Sequence, residues 1–198
     1  AYTLVGDHDA TASVPISSDL FYTLEDITYA NEPSSEFEHT FACSEGGQIT
    51  ASLVYQSVET YRFELLHENC HEFSNAPVSN GLMFLELYSN GNRAYFFSAL
   101  ELQTNEGSFT YTGVKNTILN SENSSSQYNT NIFILDNASG EQTLLEKTES
   151  IVWASDSAHT LEGLVYRSDI GRIDVITRQA ISEGGFSREG ELQVIAGN

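Results

Sequence analysis

The chain has 198 residues, of which 28 are acidic and eight basic, for a formal net charge of −20. A surface of that sign repels phosphate backbones and anionic headgroups, so nucleic acid and anionic membrane surfaces are not expected partners. Hydrophobic residues make up 40% of the chain, enough for a real core in one domain or two small ones, yet no run of about 18 apolar residues offers a membrane-spanning segment.

Residues 1–36 lack a regular hairpin texture. Tyr2 and Leu4, then Val14 and Ile16, read as two short strands separated by the polar Gly6-Asp7-His8-Asp9 segment. Leu20 to Ile27 carries further apolar residues, and 31–36 reads as a loop. Ala1, Tyr2, Leu4, Val14 and Ile16 thus form a candidate edge or donor strand, covering the domain's own sheet or adding to another chain through backbone hydrogen bonds. Asp7-His8-Asp9 offers cation ligands, which keeps calcium as the one cofactor to weigh. No second acidic cluster at fixed ligand spacing accompanies it, and a solvated acidic turn is the plainer reading.

Residues 37–198 have the texture of a single β-rich domain. Cys43 and Cys70 each close an apolar strand-like stretch, and pairing them contributes roughly 3 to 4 kcal/mol on a chain-entropy account. Such a bridge implies an oxidising compartment. Ile49, Ala51, Leu53 and Tyr55 alternate with polar partners, as do Tyr61, Phe63 and Leu65, with 57–60 short enough for a hairpin connection. Asn80-Gly81 supplies the positive φ angles of a tight turn before a strand over 82–88. Beyond the turn at 89–92, strands follow over 93–103 and 108–119, separated by Asn105-Glu106-Gly107. The polar run 120–127 reads as a long loop or a subdomain boundary. Further strands are expected at 132–135, 144–153, 160–166, 172–178 and 191–196. The fold class is therefore all-β, an antiparallel meander forming a β-sandwich or a partly closed barrel.

One string competes with this reading. His67-Glu68-Asn69-Cys70-His71 resembles the zincin active-site motif, in which two histidines four apart on a helix hold zinc and the glutamate serves as general base. That resemblance implies a zinc metalloprotease with His67 and His71 as ligands. The motif needs a substantial helix and a third ligand; here the segment opens with β-type alternation and closes at Asn75-Ala76-Pro77. Strand followed by loop is the expectation, and the metal pair is the alternative.

No phosphate-binding glycine loop, nucleophile elbow or calcium-loop spacing is present, so no catalytic residues are assigned. Among ten Tyr and eleven Phe, Tyr88, Tyr95, Tyr111 and Tyr128 are candidates for a row that stacks on polysaccharide; core and cross-strand pairs are the commoner use of alternating aromatics. The order of Cys43, Gly46-Gly47, hairpin, Cys70 and Asn80-Gly81, with the closing hairpin strings at 161–166, 171–175 and 190–194, is similar to secreted or lipid-anchored β-rich proteins of Gram-negative bacteria. That resemblance implies location and β architecture, without a reaction; the N-terminal lipid-anchor cysteine is absent. The function expected is that of a non-catalytic extracellular structural or adhesive protein, secreted, periplasmic or at the cell surface, self-associating into a surface or filament assembly. A carbohydrate- or calcium-binding module is the second reading.

Overall fold

Two-residue alternation, punctuated by short polar turns, gives strands that pair with their immediate neighbours. The computed structural model describes residues 16, 18–29, 37–72, 76–120, 125–152, 158–169, 171–184 and 187–196. Its strands are β1 (Glu38–Ala42), β2 (Gln48–Gln56), β3 (Thr60–Cys70), β4 (Val78–Tyr88), β5 (Arg93–Thr104), β6 (Gly107–Asn120), β7 (Ser125–Asp136), β8 (Gln142–Val152), β9 (Ala158–Arg167), β10 (Gly171–Gly184) and β11 (Ser187–Ala196). All eleven form one antiparallel sheet in chain order. The sheet is not closed into a barrel. The expected all-β antiparallel meander is therefore the observed architecture.

The inner face carries the core. Ile49, Ala51, Phe63, Leu65, Met83, Leu85, Leu100 and Ile132 are all at most 2% exposed. Register stacks these side chains into rows, for example Leu53–Phe63–Leu85 and Ala51–Leu65–Met83–Phe97. A helix, α1 (Ser18–Tyr29), lies against them. Leu20, Leu24 and Ile27 recur at the four-three spacing of one helical face, and Leu20 and Leu24 are fully buried. Asp19 favours the first turn electrostatically. The N-terminal segment is thus helical over these residues. Ile16 packs on the core as an irregular residue; Ala1, Tyr2, Leu4 and Val14 lie outside the described residues.

Two sequence expectations are corrected. Asn80-Gly81 is no turn: both residues sit inside β4, where the pairing with β5 shifts between Asn80 and Leu82. The positive φ that the dipeptide signals is used at a bulge. Asn69 (φ 50), Gly81 (φ 104) and Ala99 (φ 59) occupy adjacent strands at one level, and a Cβ at Gly81 would lie 2.8 Å from the Ala99 carbonyl oxygen. Asn69 and Ala99 are each one residue extra relative to the neighbouring strand, so inward alternation changes phase there, from His67 to Cys70 in β3 and from Phe97 to Leu100 in β5. The run 120–127 is not one long loop either. Asn120 pairs with Ser125 and Leu119 with Ser126, so β6 and β7 pair up to the strand ends; residues 121–124 lie outside the described residues.

The phase change in β3 turns Cys70 inward, where it is bonded to Cys43 with the two Cα atoms 5.5 Å apart. Around the bridge, Cys43 N–H donates to Gly47 O, Glu45 N–H to His71 O and His71 N–H to Gly46 O. No helix among the described residues is long and apolar enough to cross a membrane.

Candidate functional site

The zincin-like string is the first place to look for chemistry. It lies on β3 and its exit, where residues four apart are roughly 13 Å apart along an extended chain. His67 is 2% exposed and points inward; the bulge at Asn69 lets Cys70 and Glu72 both reach the buried side near Cys43, while His71 lies beyond the strand and is half-buried. The segment is extended, so the helical histidine pair that a zincin needs does not form, and the group of potential metal ligands found among the described residues includes neither His67 nor His71. His67 Nδ1 lies 2.9 Å from Ser79 Oγ, which donates to Cys70 O at 3.3 Å. The Ser79 hydroxyl proton is committed to Cys70 O, so Nδ1 carries the proton of this contact and Nε2 is left as an acceptor. Nε2 is buried without a partner. Burial pulls the His67 pKa down to about 4, so the ring is neutral at physiological pH.

Among the described residues, one group of three potential metal ligands clusters: Cys43, Cys70 and Glu72. The two sulfurs are tied in the disulfide, so no thiolate is offered there. Glu72 accepts from Ser44 Oγ at 3.5 Å, and burial raises its carboxyl pKa. Asp7-His8-Asp9, the calcium candidate, lies outside the described residues. The four tyrosines singled out for polysaccharide stacking do not make an exposed row: Tyr95 and Tyr111 are buried and Tyr88 and Tyr128 half-buried.

The least expected cluster sits on the inner face of the middle strands. Register places Tyr95, Lys115, Thr130, Lys147 and Gly163 side by side on β5 to β9. The adjacent row holds Arg93, Thr117, Tyr128 and Glu149. Residues directly opposite in such a sheet have Cβ atoms about 5 Å apart. Lys115 and Lys147 are the only two lysines of the chain, and Thr130 stands between them. The Lys147 ammonium is 3.8 Å from Glu149, with side chains 7% and 8% exposed. Burial and then the charge of Lys147 bring the Lys115 pKa down to about 8. Arg93 stacks on Phe21 of α1, 4.8 Å from the ring centroid. Thr130 is 5% exposed, and its Oγ1 has no hydrogen-bond partner.

Gly163 completes the row. A Cβ there would come within 2.9 Å of the Lys147 Cβ and 2.5 Å of the Glu146 carbonyl oxygen, so glycine allows β8 and β9 to approach closely at this level. Sequence reasoning missed this cluster. The available signal was phase: Lys115 alternates in step with Tyr111 and Gly113, and Lys147 with Leu145, which places both lysines on the core face.

The outer face is different in kind. An open groove of about 730 Å³ runs over β6 to β11, bounded by residues such as Asn129, Asn131, Glu146, Arg172 and Asp174. Its polar groups are largely matched to each other, Asn131 to Glu146, Thr148 to Asn129 and Arg172 to Asp174. Nearer β3, the Arg62 guanidinium lies 4.5 Å from the Phe84 ring centroid and 5.2 Å from that of Phe96, with Glu86 at 3.6 Å. Both edges of the sheet, β1 and β11, pair on one side alone among the described residues. On β11, Val194 and Ile195 are 48% and 42% exposed. Comparison with protein-family models, with curated proteins and with solved structures finds no match to this chain.

Proposed function

We propose that this chain is a non-catalytic structural or adhesive subunit of an extracytoplasmic surface assembly, joined to a second copy of itself at the β11 edge of its sheet. The observation that carries this reading is the open meander. β11 presents one line of backbone donors and acceptors along its outer side, and Val194 and Ile195 give that edge apolar side chains on both faces. The Cys43–Cys70 bridge supports an oxidising location, secreted, periplasmic or at the cell surface. The −20 charge keeps single molecules apart in dilute salt, and screening over a Debye length of about 8 Å at physiological ionic strength lets edges approach.

Sedimentation velocity across a concentration series, in low and high salt, tests the reading. Oligomers are expected to grow with salt and to be lost in the Val194→Lys, Ile195→Lys double variant, because charged side chains block edge pairing. An edge that pairs with its own copy about a two-fold axis stops at a dimer, whereas β11 joined to β1 of the next molecule continues as a filament. A wild-type chain that stays monomeric at high concentration and high salt refutes assembly. Deleting residues 1–15, which spares the core residue Ile16, tests donation by the N-terminal segment: assembly that persists unchanged removes the donor role.

A further inference from the structure

We infer that the outer face of β7 to β10 is a platform for a neutral, extended polysaccharide, laid across the strands from Phe133 to Arg172. The inference is independent of edge pairing at β11 and rests on other residues. Ring placement, unused hydrogen-bonding groups and charge each point to this occupant.

Register sets Phe133, Leu144, Tyr166 and Arg172 side by side on β7 to β10. Phe133 and Tyr166 are 38% and 49% exposed, with half-buried Leu144 between them. Two strand spacings separate the aromatic positions by about 9.5 Å. That is close to the length of two sugar units in an extended β-linked chain, so alternate sugars would each meet a ring, whose face offers apolar area to the C–H side of a sugar. Two residues along each strand, about 7 Å away, lies the row Asn131, Glu146 and Asp174, part of the groove of about 730 Å³ that borders the rings.

The polar side chains of the groove hold one another in place and keep groups in reserve. Asn131 Nδ2 donates to Glu146 at 3.4 Å, which leaves Asn131 Oδ1 unused among the described residues. Arg172 donates to Asp174 through Nε and Nη2, which leaves Nη1. Asn129 Oδ1 accepts from Thr148 and Gln127, which leaves Nδ2. A fixed acceptor and fixed donors beside exposed rings suit hydroxyl groups, each of which both donates and accepts. On this face Glu146, Glu162 and Asp174 outnumber Arg172, while Lys147 at the groove wall pairs with Glu149 on the inner side. In a chain of net charge −20, that balance repels acidic polysaccharides and equally a second copy, which would bring the same sign to the contact.

Isothermal titration calorimetry of the full chain tests the inference with cellohexaose and N-acetylchitohexaose as extended neutral probes, maltohexaose as a curved one and oligogalacturonate as an acidic one. Saturable binding is expected for at least one extended probe. Phe133→Ala and Tyr166→Ala should each weaken it about tenfold, the equivalent of one lost stacking contact, whereas Tyr166→Phe, which keeps the ring, should leave it unchanged. Both rings are exposed, so the Tm of these variants should stay at the wild-type value, which separates loss of binding from loss of fold. The proposal is overturned if neither extended probe binds at millimolar concentration, if maltohexaose or oligogalacturonate binds as tightly as they do, or if binding survives unchanged in the Phe133→Ala, Tyr166→Ala double variant. Sedimentation velocity of that double variant covers the remaining occupant: oligomers lost with the rings, in a protein that binds no glycan, assign the face to a second copy and likewise overturn it.

Discussion

Lowering the pH from 7.5 to 4.5 should remove about 2.5 kcal/mol of folding stability through one side chain, His67. Its ring is buried, and its pKa falls from 6.5 to about 4, so between those values the unfolded chain binds a proton at this position that the folded chain refuses. Stability therefore rises with pH across this window, at about 1.4 kcal/mol per pH unit, is fully present above about 6.5, and is lost as the pH falls toward 4. Protonating Nε2 would charge a buried ring and place the new proton on an atom with no hydrogen-bond partner, since Ser79 Oγ lies against Nδ1 instead. His67→Asn keeps an N–H for Ser79 and removes the ionisable ring. Urea midpoints of both proteins at several pH values give two curves whose difference isolates His67, because the carboxylates and any packing loss are common to both ends of each curve. The difference should change by about 2.5 kcal/mol between pH 4.5 and 7.5. Curves that run parallel would mean the ring is solvated or partnered, and the account of its burial would fall with them.

Other outcomes follow from the same packing. Replacing Cys43 and Cys70 by serine should cost about 3.5 kcal/mol, the chain-entropy value for a sequence separation of 27 residues, and the loss should match that caused by reductant in denaturant titrations of the wild type. Gly163→Ala should destabilise by about 1 to 3 kcal/mol, since the added methyl meets the backbone of β8 at 2.5 Å, a shift readable in the same titrations. Ala99→Gly should stabilise by about 0.5 to 1 kcal/mol, because Ala99 is exposed and held at φ 59, where a glycine is unstrained; a lower Tm for this variant would contradict the bulge.

Much of the fold was legible because hairpin chemistry is local. Turns at 57–60, 89–92, 105–107 and 137–141 fall where glycine, asparagine and serine interrupt two-residue alternation, and the structure turns there. Asn80-Gly81 misled for a physical reason: the sequence advertises positive φ, and a bulge inside a strand needs that conformation as much as a hairpin does. The helix at 18–29 was hidden because Phe21 and Tyr22 fill in between Leu20 and Leu24 and blur its stripe, while tertiary contact with the sheet supplies what a short helix lacks in isolation. The zincin-like string was legible as a strand, but not the extra residue at Asn69 that shifts its register. The lysine row was invisible to motif reading, since its members are 15 and 17 positions apart and meet only through strand register.

The bulge line also dictates how the chain tolerates changes in length. Ala99 is the residue by which β5 exceeds both of its neighbours at that level, so it serves as a spacer between two stretches of alternation, Tyr95 and Phe97 before it and Leu100 and Leu102 after it. Any amino acid at 99 preserves that count, whereas removing the position would reverse the orientation of everything on one side, sending either the aromatic pair or the leucine pair into water. Loss of a single codon here is thus graver than any substitution at the same site, although the side chain itself is exposed and contributes little. Asn69 holds the same office in β3, where the count decides whether Cys70 meets Cys43 at all.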